Sequence, residues 1–247
     1  MSTPQTLQDL DRKQLLTFIV DAHRRQMLHF ALWFREVEQE LGLEGAFAAE
    51  EAAFERGLSI QMGRLGKVLG FEAEDGVPAA LRDMDEPKLR ELLTALSVNW
   101  LVNDGVWFQA VEQSHDMATA KLCNDRAWGG LSPYEARRIK KLVGLPDDGG
   151  LEALATALNF RLYAVINEQR CEWPGDGSLV FRMLNCRVQA ARKRKGLDDY
   201  PCKSGGMVEY TTFATAMDPR IRTECIACPP DEHPDEWFCS WRFTLED

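Results

Sequence analysis

The chain has 247 residues, enough for one large domain or two modest ones, and 45% of them are hydrophobic, so a substantial core can be buried. Its formal net charge of -10 argues against a nucleic-acid partner, because phosphate binding needs a basic face. Residues 1–13 are polar, and no apolar run approaches the length of a membrane span, which points to a protein of the cytoplasm with no membrane partner.

In chain order, residues 13–42 carry apolar side chains at mixed three- and four-residue spacing (Leu15, Phe18, Ile19, Ala22, Met27, Phe30), which predicts a long amphipathic helix that Gly42 can end. A second helix is expected from about Gly45 to Leu69, stopping at Gly70. Residues 72–87 read as a loop through Gly76 and Pro78, and Pro87 behind Asp85 resembles a helix start. A repeat follows. Residues 29–71 align without a gap to 103–145, with 10 of 43 positions identical. The densest stretch sets Trp33-Phe34-x-x-Val37-Glu38-Gln39 against Trp107-Phe108-x-x-Val111-Glu112-Gln113. Residues 1–146 are therefore expected to form a helical repeat region, a bundle of two related hairpins in which each buries the other's apolar face.

Past Pro146 the texture changes. A short helix over 149–158 precedes a predicted strand over 160–173, where Phe160, Leu162, Ala164 and Ile166 alternate. Pro174-Gly175-Asp176-Gly177 is a turn signal, and residues 179–186 make the return strand. Helices are expected over 188–195 and 207–217, then a second hairpin over 221–227 and 237–245. In its last strand Trp237, Cys239, Trp241, Phe243 and Leu245 share one face. The fold class is thus α+β: an N-terminal helical bundle over 1–146, then an α/β domain with antiparallel hairpins over 147–247.

Seven cysteines, an odd number, argue against a disulfide framework. Cys225-x-x-Cys228 has knuckle spacing, Cys239 falls on the neighbouring strand of the second hairpin, and Cys202 stands at the start of the helix that feeds it. Four thiolates would close a tetrahedral shell, the structural type of zinc site, and iron would also suit them. The competing reading is four small buried hydrophobes. Cys123, Cys171 and Cys186 are scattered and read as core or boundary residues.

The run Cys202 … Cys225-x-x-Cys228 … Cys239-x-Trp241-x-Phe243 resembles the ligand-binding domain family named for 4-vinyl reductase, over roughly residues 150–247. That resemblance implies a zinc ion beside a pocket for a small apolar or aromatic molecule. This sequence departs from the aromatic-sensing members in placing Cys225 where they carry an acid, and in a longer loop over 229–235. The whole chain also resembles a family of cytosolic proteins from anaerobic bacteria, through Asn99-Trp100-Leu101, Asp104-Gly105-Val106-Trp107-Phe108 and Leu158-x-Phe160-Arg161-Leu162 with Asn167-Glu168. A related group comprises hydrolases of 2-amino-thiazoline-4-carboxylate, which implies no catalytic residue here.

Other candidates are weaker. Glu38 and Glu112 occupy equivalent repeat positions, and Glu112-x-x-His115 has the helical spacing of di-iron bundles, but Leu41 replaces the second histidine, so a helix-end or interhelical hydrogen bond is the simpler role. Trp33, Phe34, Trp107 and Phe108 are expected in the core. His23, His29, His115 and His233 lie singly, with His233 the one alternative fourth metal ligand. The basic stretches Arg192-Lys193-Arg194-Lys195, Arg137-Arg138 and Lys140-Lys141 read as solvated faces. Three functions remain open: a zinc-containing protein that binds a small molecule, a hydrolase acting on a small heterocyclic acid with a cysteine nucleophile, or an interaction protein whose repeated bundle supports a homodimer.

Overall fold

The computed structural model describes residues 3–194, 196 and 199–246; Met1, Ser2 and Lys195, which figure in the stretches above, lie outside them. The chain is α+β, and it separates into two compact units, Met1–Asp83 and Met84–Asp247. The compact units therefore part within the helical region, whereas the change from long helices to strands falls near Pro146.

The first unit is dominated by α1, Arg12–Leu69. A capping box starts it: the Gln14 amide donates to Asp11 Oδ1 at 2.8 Å, and the Asp11 amide to Gln14 Oε1 at 2.9 Å. Gly42 interrupts the helix with φ 74° and ψ 174°, a backbone region that only glycine enters without strain, so α1 is two helices meeting at a kink. Phe34 and Phe47 pack across that kink with ring centroids 6.0 Å apart. Gly70, with φ 78°, closes the second half in the left-handed conformation. The expected loop that follows contains the two-residue strands β1 (Ala73–Glu74) and β2 (Val77–Pro78) and one turn of helix, α2 (Ala79–Arg82).

The second unit opens with α3, Glu86–Ser114, capped by Asp85 with proline in its first turn as the sequence predicts. His115 and Asp116 break the helix, and Asp116 caps α4, Met117–Val143, by accepting from the Thr119 amide at 2.7 Å. The repeat is visible in local geometry. The break at 115–116 matches Gly42, Ala120 and Ala46 are both 1% exposed, and Gly144 ends α4 with φ 71° as Gly70 ends α1. The paired tryptophans do not join the core. Trp33 is 63% exposed and Trp107 66%, each on the outward face beside a phenylalanine that is half-buried. Cys123 is exposed as well.

After α5, Gly150–Leu158, the expected strand over 160–173 divides: α6 (Leu162–Ile166) comes first and β3 is confined to Glu168–Glu172. The cause lies in α4, where Glu135 Oε1 accepts from the Leu162 amide at 3.2 Å and so caps α6 from outside the segment. The remaining elements are β4 (Leu179–Asn185), α7 (Arg187–Arg194), α8 (Lys203–Met217), β5 (Ile221–Ala227) and β6 (Cys239–Leu245). Both hairpins join one antiparallel sheet of order β3-β4-β6-β5, with Phe181 opposite Trp241 and Trp241 opposite Cys225. Phe181, Trp241 and Phe243 share a core with Tyr210, Phe213 and Met217 of α8.

Helix α8 is packed on both sides, which explains two adjacent glycines in a helix. A β-carbon at Gly205 would meet Asp125 Oδ1 of α4 at 2.9 Å, and one at Gly206 would meet Trp241 Cζ2 of β6 at 2.6 Å. Each glycine forgoes helix propensity so that α4 or the sheet can approach. Among the described residues, no helix is long and apolar enough to cross a membrane.

Candidate functional site

Where α3 and α4 face α8, the sheet and α7, the second unit has a cavity of about 420 Å³ that opens partly to solvent. Its aromatic lining comes from Phe108, Trp128, Tyr163, Tyr200, Tyr210 and Trp241. These rings lock one another in place. Trp128 stacks on Tyr163 at 5.5 Å, Phe108 meets Tyr200 edge-on at 5.4 Å, and Tyr210 stacks on Trp241 at 4.8 Å. The polar lining includes Asp104, Glu112, Lys121, Asn124 and Glu209. A largely apolar chamber with a few convergent polar groups is the usual form of a small-molecule site.

Three of the four cysteines of the predicted metal set, Cys202, Cys228 and Cys239, border this chamber, and Cys225 does not. The Cys228 and Cys239 thiols are hydrogen-bonded, and Cys202 and Cys225 are further electrostatic neighbours of Cys228. The Cys239 hydrogen bond and burial together push the Cys228 thiol far above its ordinary range. Burial does the same to Cys202 and raises Cys225 to about 11 despite nearby Lys203. Cys202 is held by Gln189, whose Nε2 donates to its Sγ at 3.2 Å and to the Tyr200 carbonyl at 2.9 Å. Cys186 also lines the cavity, whereas Cys171 of β3 does not; burial lifts each to about 11. Among the described residues, no three ligand-type side chains stand in an arrangement that could hold a metal ion. Cys202, Cys225 and Cys239 are the thiol neighbours of Cys228, a soft donor set of the kind that zinc or iron takes once deprotonated.

His233 is engaged elsewhere. Its Nε2 lies 3.0 Å from Asp199 Oδ2 and its Nδ1 3.0 Å from the Pro234 carbonyl. Glu38 is exposed, while its repeat partner Glu112 borders the cavity, and His115 is exposed beside Ser114. In the basic run, Arg192 borders the cavity and Lys193 lies over the Phe238 ring at 4.7 Å.

Sequence reasoning missed a buried ionic triad behind the aromatic wall. Arg161, 2% exposed, donates through Nε to Glu135 Oε2 at 2.8 Å, and its Nη1 lies 2.6 Å from Glu209 Oε1. Its guanidinium also faces the Phe213 ring at 4.7 Å. Burial alone would lower the guanidinium pKa, but Glu135 and Glu209 more than offset it. Glu209 is the only member that reaches the cavity; burial raises its carboxyl above the ordinary range although Arg161 pulls it down. The one available signal was Arg161 inside an otherwise apolar stretch, which periodicity assigned to a strand face.

No curated protein and no solved structure matches the chain. One family model matches it twice, over residues 8–89 and 82–245, so the matched segments follow the two compact units and together span nearly the whole chain. The protein belongs to the family described as "Family of unknown function (DUF6125)".

Proposed function

We propose that this is a small-molecule-binding protein, with its ligand in the aromatic chamber of the second unit and a structural zinc ion held by Cys202, Cys225, Cys228 and Cys239 in one wall. The observation that carries the reading is the shared wall: three of these four cysteines border the same 420 Å³ cavity as the aromatic rings. A four-thiolate zinc site has no open position, so the ion would supply cross-linking between the start of α8, β5, β6 and the loop after β5, and no reaction step. The chamber's shape would then depend on the metal, because Cys202 is tied through Gln189 to Tyr200. Kinship with domains of the 4-vinyl reductase type is part of this proposal and rests on the cysteine run and the pocket beside it.

A hydrolase with a free cysteine nucleophile is less well supported. An attacking thiol must ionise near neutral pH, and burial lifts the thiols of Cys171 and Cys186, outside the proposed metal set, to about 11.

Metal analysis by native mass spectrometry, on protein purified under nitrogen, tests the zinc reading. One zinc per chain is expected, lost in Cys228→Ser and retained in Cys171→Ser. Absence of both zinc and iron from the unmodified protein would refute it.

A further inference from the structure

We infer that the chamber selects an organic cation, a protonated amine or quaternary ammonium on an apolar body, with Asp104 and Glu112 as its counter-charges. The inference rests on the small-molecule reading above and names the ligand's chemical class.

The argument is one of charge balance inside an aromatic enclosure. Lys121, the cavity's lysine, is already neutralised, with its Nζ 2.9 Å from Asp125 Oδ1 and both side chains mostly buried. Glu209 is matched by Arg161, whose charge is shared with Glu135. Asp104 and Glu112 remain. Asp104 accepts an amide hydrogen bond from Asn124 Nδ2 at 3.0 Å and feels the charge of Lys121, which Asp125 already holds, and among the described residues neither carboxylate is in a direct ion pair. A carboxylate partly removed from water with no cation of its own is costly, and a cationic guest relieves that cost.

Two further observations agree. The rings present faces suited to a cation, as the protein itself shows by setting Lys121 Nζ 5.1 Å from the Tyr200 ring centroid. Trp241, fully buried and bordering the cavity, has its Nε1 without a partner among the described residues, and the Tyr200 hydroxyl is in the same condition. These two groups offer hydrogen bonds to a polar atom on the guest's body.

Arg192, already engaged with a partner of its own, also borders the cavity, and an anion is the competing guest. The test uses three molecules of nearly one shape: 2-phenylethylamine, 2-phenylethanol and phenylacetate. Each is titrated into the full chain while the fluorescence of Trp128 and Trp241 is followed, with calorimetry as a second readout. The amine is expected to bind about tenfold more tightly than the alcohol, as a charge-assisted contact implies, and phenylacetate most weakly. Asp104→Asn, nearly identical in shape, should bring the amine down to the alcohol, and Glu112→Gln should weaken it in part; circular dichroism checks that both variants are folded. Equal or tighter binding of the alcohol or phenylacetate overturns the cation and leaves the small-molecule reading standing. Failure of all three to bind at millimolar concentration overturns both.

Discussion

Replacing Arg161 by methionine removes the one charge that two buried carboxylates share while keeping a flexible apolar side chain of comparable length. Arg161 is 2% exposed as a side chain, and its partners Glu135 and Glu209 are 12% and 11% exposed. Removing one member of such a buried group leaves uncompensated charge and costs about 3–5 kcal/mol. With a urea dependence of about 2 kcal/mol per molar, the unfolding midpoint of the second unit should fall by roughly 2 M. The loss carries a pH signature. In the native protein burial already holds the Glu209 carboxyl above its ordinary value, and Arg161 is the chief influence opposing that rise. Without the guanidinium the folded-state pKa climbs further above the unfolded one. The folded variant then binds more protons than its unfolded chain, so its stability falls as pH rises and recovers as pH is lowered. Urea titrations followed by tryptophan fluorescence at pH 7 and pH 5 should show the gap between variant and parent narrowing at the lower pH. A loss below about 1 kcal/mol at pH 7, or a gap that widens at pH 5, would refute the view that this arginine holds two ionised carboxylates.

Gly206→Ala should destabilise the second unit by about 1–3 kcal/mol, read as a lowered melting temperature, because the new β-carbon would lie 2.6 Å from the rigid Trp241 ring. Gly205→Ala should cost less, since the atom in its way is a carboxylate oxygen of Asp125 that can turn aside. Gly42→Ala should cost about 1–3 kcal/mol in the first unit, measured by circular dichroism during thermal unfolding, because an alanine at φ 74° and ψ 174° is strained. Asp218 is held down to about 2, chiefly by the Arg220 side chain, with the Arg220 and Gly150 amides adding to it. Its stabilising contribution is therefore present above its unfolded value and lost as pH falls through the window from about 4 to 2. Asp218→Asn should flatten that acid limb in a pH series of unfolding midpoints.

Local signals in the sequence were legible where one segment decided its own conformation. Gly42 and Gly70 marked helix ends because each needs positive φ, and Asp85 ahead of Pro87 marked the start of α3 because a cap is a contact between near neighbours. The return strand at Leu179 and the hairpin through Cys225 and Cys239 were legible by alternation. What escaped depends on contacts distant in sequence. The alternating residues 160–166 suit a strand until Glu135, from another helix, caps them into a turn of helix. Trp33 and Trp107 sit beside core-facing phenylalanines and share their periodicity, and only tertiary packing reveals that they point outward. The chamber was invisible for the same reason. Its wall draws on Asp104, Lys121, Tyr163, Tyr200 and Glu209, which come from separate segments with no common motif. The cysteine run was readable as a set; its place beside that wall was not.

The order of strands in the sheet bears on how this protein is made. β6 is the last strand in chain order, yet it lies inside the sheet, joining β4 on one side to β5 on the other. While the ribosome is still translating the segment before Cys239, β4 can pair only with β3, and its other edge has no complement. The N-terminal helices can settle during translation, but the chamber's far wall, with Trp241 in it, can form only after β6 has left the exit tunnel. Until then the backbone of β4 from Leu179 to Met183 presents a row of unpaired N–H and C=O groups, which makes this interval the natural moment for a chaperone to engage the nascent chain.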